Sequence, residues 1–229
     1  MALTGQLPAL FSKRTATFEV SFGTSLTPLF ATEEPSIARA VEKRRWEFHA
    51  GRHCARRALL ELGAPETAIL PGADRAPVWP DGFVGSITHT GAHQQGYAAA
   101  VVARVTEVRS LGLDAELCEP LAPELQERVL TPLEQAFLGT LDADQRGLVA
   151  TLFFSAKEAF YKCQYPLTQR FLGFQEVEVE FELERNHFRA QLRDAPEIND
   201  ASMLVGRFLM TERLIVTGVE LPLNVSTGF

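Results

Sequence analysis

The sequence predicts an α+β protein of 229 residues, built as two halves that each set helix against antiparallel strands. Three observations carry that reading. A long helical stripe precedes strand-like runs that end at Glu116. A second helical stretch precedes another strand run, beginning near Glu176. Between them, residues 117–126 hold Pro120 and Pro123 and read as a connection. The halves divide near residue 108, into residues 1–108 and 109–229, with no internal repeat or low-complexity tract.

Taken in order, the chain opens irregularly to about Pro35, with a short strand around Thr17–Phe22. From Ser36 to Leu62, Ile37, Val41, Phe48, Ala55, Leu59 and Leu62 recur at the 3.6-residue period and predict a helix, with Gly63 as its stop signal and Gly51 as a possible break. Residues 63–82, punctuated by Pro65, Pro71, Pro77 and Pro80, predict a loop. Strands follow at Phe83–Thr88, Tyr97–Ala103 and Ser110–Glu116, with Gly91 to Gly96 joining the first two. Helices are expected at about Pro132–Leu141 and Gln145–Cys163. Then Val177, Val179, Phe181 and Leu183 alternate with Glu176, Glu178, Glu180 and Glu182, which predicts a strand with one apolar and one acidic face. Phe188–Leu192, Leu204–Thr211 and Leu214–Leu221 complete the strand set.

Composition narrows the function. The net charge is -7, which argues against nucleic acid as the main ligand, although Lys43, Arg44, Arg45, Arg52, Arg56 and Arg57 concentrate positive charge on one segment. No apolar run is long enough to span a membrane, and the opening MALTGQLPALFSKR lacks the pattern of a signal peptide. Three widely spaced cysteines form no C-x-x-C pair, so a reducing cytoplasm is expected. There is neither a G-x-G-x-x-G nor a P-loop motif, which disfavours those nucleotide sites.

Two segments carry chemistry. In Leu111-Gly112-Leu113-Asp114-Ala115-Glu116, strand alternation turns Leu111, Leu113 and Ala115 one way and Gly112, Asp114 and Glu116 the other. Two neighbouring carboxylates suit a hard cation, and Gly112 would leave room for a ligand; a strand end turning to solvent gives the same pattern. In Phe154-Ser155-Ala156-Lys157-Glu158-Ala159-Phe160-Tyr161-Lys162, Ser155, Glu158 and Lys162 share a helix face. That spacing also matches a capping box and an ordinary i,i+4 ion pair. Read together, the segments place three carboxylates and a lysine around a divalent metal with a phosphate or pyrophosphate ligand.

On the long helix, Arg44 and Arg52 fall at opposite edges of the apolar stripe, with Arg45 and Arg56 further toward the polar side. A guanidinium at such an edge calls for an anion, or else lays its stem over apolar surface and reaches solvent. His49 and His53 have metal-ligand spacing but lack the Glu of zinc hydrolases, so a solvated face is the better reading. His89 ends a strand, where ligands often bind.

The paired motifs Gly112-Leu113-Asp114-x-Glu116 and Phe154-Ser155-x-Lys157-Glu158-Ala159-x-x-Lys162, with GSITHTG at 85–91 and KRRxEF-x-x-x-R at 43–52, resemble the 4'-phosphopantetheinyl transferases. The likeness runs from about residue 37 to 174 and is nearest the monomeric, two-subdomain branch of enterobactin-type enzymes and actinobacterial activators. The resemblance implies two similar α/β subdomains with pseudo-two-fold symmetry and a coenzyme A site in the cleft between them. It implies Mg²⁺ held by Asp114, Glu116 and Glu158, and phosphate contacts from Lys157 and Lys162, with Glu158 and Lys162 catalytic. Arg44, Arg52, Thr88, His89 and, by position, Arg75 would bind the nucleotide end. The implied partners are coenzyme A and apo acyl or peptidyl carrier proteins, with the enzyme working as a monomer. A metal-dependent phosphodiesterase and a non-catalytic coenzyme A-binding regulator are the alternatives.

Overall fold

A computed structural model describes residues 5–91, 95–193 and 202–223. The chain is α+β and forms two compact units, Met1–Leu111 with Pro222–Phe229, and Gly112–Leu221.

In the first unit, β1 (Thr15–Ser21), β2 (Phe83–Thr90) and β3 (Tyr97–Arg104) form an antiparallel sheet in the order β1-β3-β2. The central strand reads YAAAVVAR and is buried from Tyr97 to Ala103. Its small side chains let α1 (Glu42–Glu61) lie close, and α1 answers with Ala50, Gly51, Cys54, Ala55 and Ala58. The helix runs unbroken through Gly51, where a Cβ would sit 2.8 Å from the Ile87 side chain. Gly63, at φ +75°, follows its end as expected.

The start of α1 departs from the sequence reading. Glu34–Ile37 form only a 3-10 turn, and Val41 is extended and exposed rather than part of the stripe. The cause is Glu33, which is fully buried. It accepts from Arg56 Nη1 at 3.0 and 2.9 Å, from Phe30 N at 2.9 Å and from Ile69 N at 2.8 Å. Those bonds hold the chain before α1 in an irregular path.

In the second unit, β4 (Val108–Leu117), β5 (Val177–Glu182), β6 (His187–Leu192), β7 (Met203–Met210) and β8 (Leu214–Pro222) form a five-stranded sheet, ordered β4-β8-β7-β6-β5. The long α4 (Ala143–Thr168) covers it, and Leu152, Phe153, Ala156 and Phe160 share a core with Val179, Phe188, Phe208 and Val219. Part of the expected connection is instead a short helix, α2 (Pro123–Val129), which Pro123 can start because an N-terminal helical position needs no N–H partner. α3 (Pro132–Gly139) follows, closed by a capping box between Thr131 and Glu134. Glu178 breaks the expected acidic-out pattern of β5. It is buried, taking the Thr131 hydroxyl at 2.6 Å and facing Arg193 Nε at 3.4 Å. Residues 92–94 of the β2–β3 connection lie outside the described residues.

Candidate active site

In the second unit the two motif segments meet. β4 lies directly on the backbone of α4: a Cβ at Gly112 would stand 1.9 Å from the Ala159 carbonyl oxygen. The room that Gly112 leaves is therefore filled by a helix rather than by a ligand. This approach brings Asp114 to α4, where Lys162 Nζ pairs with Asp114 Oδ1 at 2.6 Å and donates to the Leu113 carbonyl at 3.1 Å. Asp114 is buried and Lys162 partly open. The i,i+4 partner expected for Glu158 is thus taken up by β4. Glu116 stands half-buried two residues further along the strand.

Glu158 is half-buried, and its carboxyl is held above the ordinary range, first by burial and then by the Asp114 charge, with Lys162 opposing. Ser155 caps nothing. It sits in mid-helix, fully buried, with its hydroxyl 2.9 Å from Thr217 Oγ1, and it fastens α4 to β8.

Lys157 is not brought to this group of side chains. It points about 100° around the helix from Glu158 and is buried, with Nζ 2.7 Å from Glu134 Oε2 and donating to the Val129 and Phe174 carbonyls at 2.7 and 2.9 Å. Burial lowers the lysine pKa and raises that of Glu134, while each partner's charge opposes the shift.

Among the described residues, no three His, Cys, Asp or Glu side chains converge into a ready coordination set. The donor chemistry still fits magnesium, which takes one or two carboxylates and completes its shell with water and phosphate. Asp114 already raises the proton affinity of Glu158, and a cation shared by the two would relieve that repulsion.

The first unit gathers the other expected residues. Arg44 Nη1 lies 3.1 Å from His89 Nε2 and 3.3 Å from Glu47 Oε2, while His89 Nδ1 is 3.8 Å from the same carboxylate oxygen. Arg52 is buried; it donates Nε to the Ile69 carbonyl at 3.0 Å and stacks over Phe48 at 4.0 Å. Desolvation lowers its pKa to about 10; Glu33 raises it, and Arg44 and Arg56 lower it further. Thr88 is buried on β2 next to His89. Arg75 is exposed in a tight turn at φ 69°.

Arg56, placed on the polar side from sequence, is buried against Glu33, and the histidine pair is no solvated face. His49 Nε2 meets the Thr27 carbonyl at 2.7 Å, and His53 Nδ1 accepts from Thr27 N at 3.0 Å.

A model of the 4'-phosphopantetheinyl transferase N-terminal domain matches residues 32–103, and one of the 4'-phosphopantetheinyl transferase superfamily matches residues 110–207. The chain is 41% identical over 198 residues to 4'-phosphopantetheinyl transferase Npt of Nocardia iowensis, covering 82% of this chain and 86% of that one. It is 39% identical over 208 residues to 4'-phosphopantetheinyl transferase PptT of Mycobacterium tuberculosis, covering 86% and 87%. Enterobactin synthase component D of Escherichia coli K12 is 36% identical over 142 residues, covering 61% and 64%. The chain belongs to the 4'-phosphopantetheinyl transferase superfamily.

Within the span of the superfamily match lie Asp114, Glu116, Glu158 and Lys162; the N-terminal match holds Arg44, Arg52, Arg75, Thr88 and His89. Two residues of these spans were given no role in the sequence reading, although Glu47 lies within the KRRxEF segment. Glu47, in the middle of the Arg44–His89 group, was marked by its i,i+3 spacing from Arg44. Glu134 was marked by Thr131-Pro-Leu-Glu134, a capping-box pattern with Pro at the first helical position.

Proposed function

We propose that this transferase moves 4'-phosphopantetheine from coenzyme A to a serine of an apo acyl or peptidyl carrier protein, releasing 3',5'-ADP, with Mg²⁺ as its metal. The observation that carries the reading is the Asp114–Lys162–Glu158 group, in which a carboxyl of raised proton affinity stands beside an ion pair at the meeting of two family motifs.

Glu158 is suited to take the serine proton, because burial and Asp114 both strengthen its hold on a proton. Lys162, which gives one N–H to Asp114 and one to the Leu113 carbonyl and is only partly covered, keeps its third donor for a phosphate oxygen of the departing nucleotide. Asp114, Glu116 and Glu158 would hold the metal, which when bound supplies positive charge to the pyrophosphate. Arg44, Arg52 and His89 would bind the 3'-phosphate beside Thr88, with exposed Arg75 available to the nucleotide; a buried guanidinium whose pKa has fallen to about 10 gains from an anion. Lys157 drops out of the ligand set, since its charge is committed to Glu134. Cys54, Cys118 and Cys163 are free thiols, which supports a cytoplasmic setting, and both residue groups on one chain support action as a monomer.

Glu158→Gln tests the reading. Loss of a general base lowers the transfer rate by roughly 10²–10⁴, and raising Mg²⁺ restores only the part of the loss that comes from weaker metal binding. Full rescue by Mg²⁺ assigns Glu158 to the metal alone and not to the proton, and a near-normal rate removes it from the mechanism.

A further inference from the structure

The arrangement of Arg44, Glu47 and His89 carries a consequence for protons. From α1, His89 faces Arg44 and Glu47; Lys43 lies 3.7 Å from Glu47, and Arg52 follows two turns along the helix. From β3, Ala98 stands opposite His89. A guanidinium has donors only. The 3.1 Å contact therefore makes His89 Nε2 an acceptor and leaves the ring proton on Nδ1, on the side of Glu47.

We propose that a phosphomonoester bound here, the 3'-phosphate of coenzyme A, draws a proton from solvent onto His89 Nε2, and that Glu47 is the positioning residue that holds the imidazolium so formed. This rests on the anion-binding reading of the same residues given above. Phosphate oxygens accept and do not donate, and Nε2 without a proton also accepts. Two acceptors facing each other gain nothing. When Arg44 turns its N–H groups toward the phosphate, a proton on Nε2 gives the ring a donor to set against the phosphate oxygens. One N–H bond forms on the ring, the buffer gives up the proton, and no bond of the ligand breaks. Glu47 Oε2, 3.8 Å from Nδ1, answers the new charge and closes to a charge-assisted bond with little movement.

The ligand's own titration has the opposite sign. With a second phosphate pKa of about 6, binding as the dianion releases protons, so net uptake identifies the protein group.

The test is calorimetric titration of the full-length chain with coenzyme A and with dephospho-coenzyme A. It is run in two buffers of different ionisation enthalpy at about pH 8, above the ordinary histidine value of about 6.5. The expected result is uptake approaching one proton for coenzyme A and none for dephospho-coenzyme A. Glu47→Gln should cut that uptake to less than half and weaken coenzyme A by roughly tenfold, with dephospho-coenzyme A unaffected. His89→Gln should abolish uptake, and it carries the test if Glu47→Gln fails to fold. Preference for coenzyme A without proton uptake, or uptake unchanged in either variant, overturns the proposal and leaves the anion site standing. Equal binding of the two ligands removes the anion site, and the proposal with it.

Discussion

Lys157 and Lys162 sit five residues apart on one helix and have different fates. Both motif lysines read from sequence as phosphate contacts. The structure separates them by what lies opposite: Asp114 on β4 for Lys162, and Glu134 at the start of α3 for Lys157. Lys157 is nearly inaccessible, and its three contacts tie together the end of α2, the cap of α3 and the segment before β5. Removing one partner of such a buried pair typically costs about 3–5 kcal/mol, because the other charge stays buried without an answer. Lys157→Met should therefore lower the melting temperature markedly, and adding Glu134→Gln should recover part of the loss. A Lys157→Met protein that melts like the wild type but binds coenzyme A poorly would return this lysine to the ligand set. Sequence could not separate the two lysines, since their partners lie 48 and 23 residues away along the chain.

Among the elements, those with strong periodicity were legible. β3, β6, β7, β8 and α3 fall within a residue or two of the expected spans: β6, β7 and α3 each bury one alternating or helical face, and β3 and β8 are apolar runs buried on both faces. α1 was misplaced at its start, where the buried Glu33 is held by Arg56 and Ile69, contacts distant in sequence. The histidines of α1 were misread for a related reason. They hold Thr27, and the 22- and 26-residue separations leave no local signal. That contact makes a pH prediction at the scale of this helix and the segment it anchors. The Thr27 N–H only donates, so folded His53 keeps Nδ1 unprotonated. Its pKa is lowered by burial first, then by Arg57, Arg56 and His49. Below about pH 6.5 the unfolded chain therefore binds a proton that the folded chain resists, and this contribution to stability falls as pH drops toward the lowered value. Urea midpoints compared between about pH 7.5 and 5.5 should decline less in His53→Asn, which retains an acceptor near Nδ1 but does not titrate. An identical decline in both proteins would show that His53 is not the group responsible.

At the scale of the whole molecule, the sequence pointed to α+β architecture from the order of its periodic segments, and the structure has it in each unit: one long helix over an antiparallel sheet. The first sheet has three strands and the second five, and in both units the long helix carries residues of the proposed site. α1 presents Arg44, Glu47 and Arg52; α4 presents Glu158 and Lys162. Positive charge gathered on α1 and acids gathered around α4 also explain how a chain of net charge -7 can serve an anionic co-substrate. Phosphopantetheine transfer by this chain is open to one direct measurement. The full-length chain is incubated with coenzyme A, Mg²⁺ and an apo carrier protein, and the carrier's intact mass is then recorded. The carrier should gain the mass of one phosphopantetheine group, and a carrier whose acceptor serine is replaced by alanine should gain none. An unmodified carrier alongside intact coenzyme A, with the folded enzyme shown to bind coenzyme A, would contradict transfer by this chain.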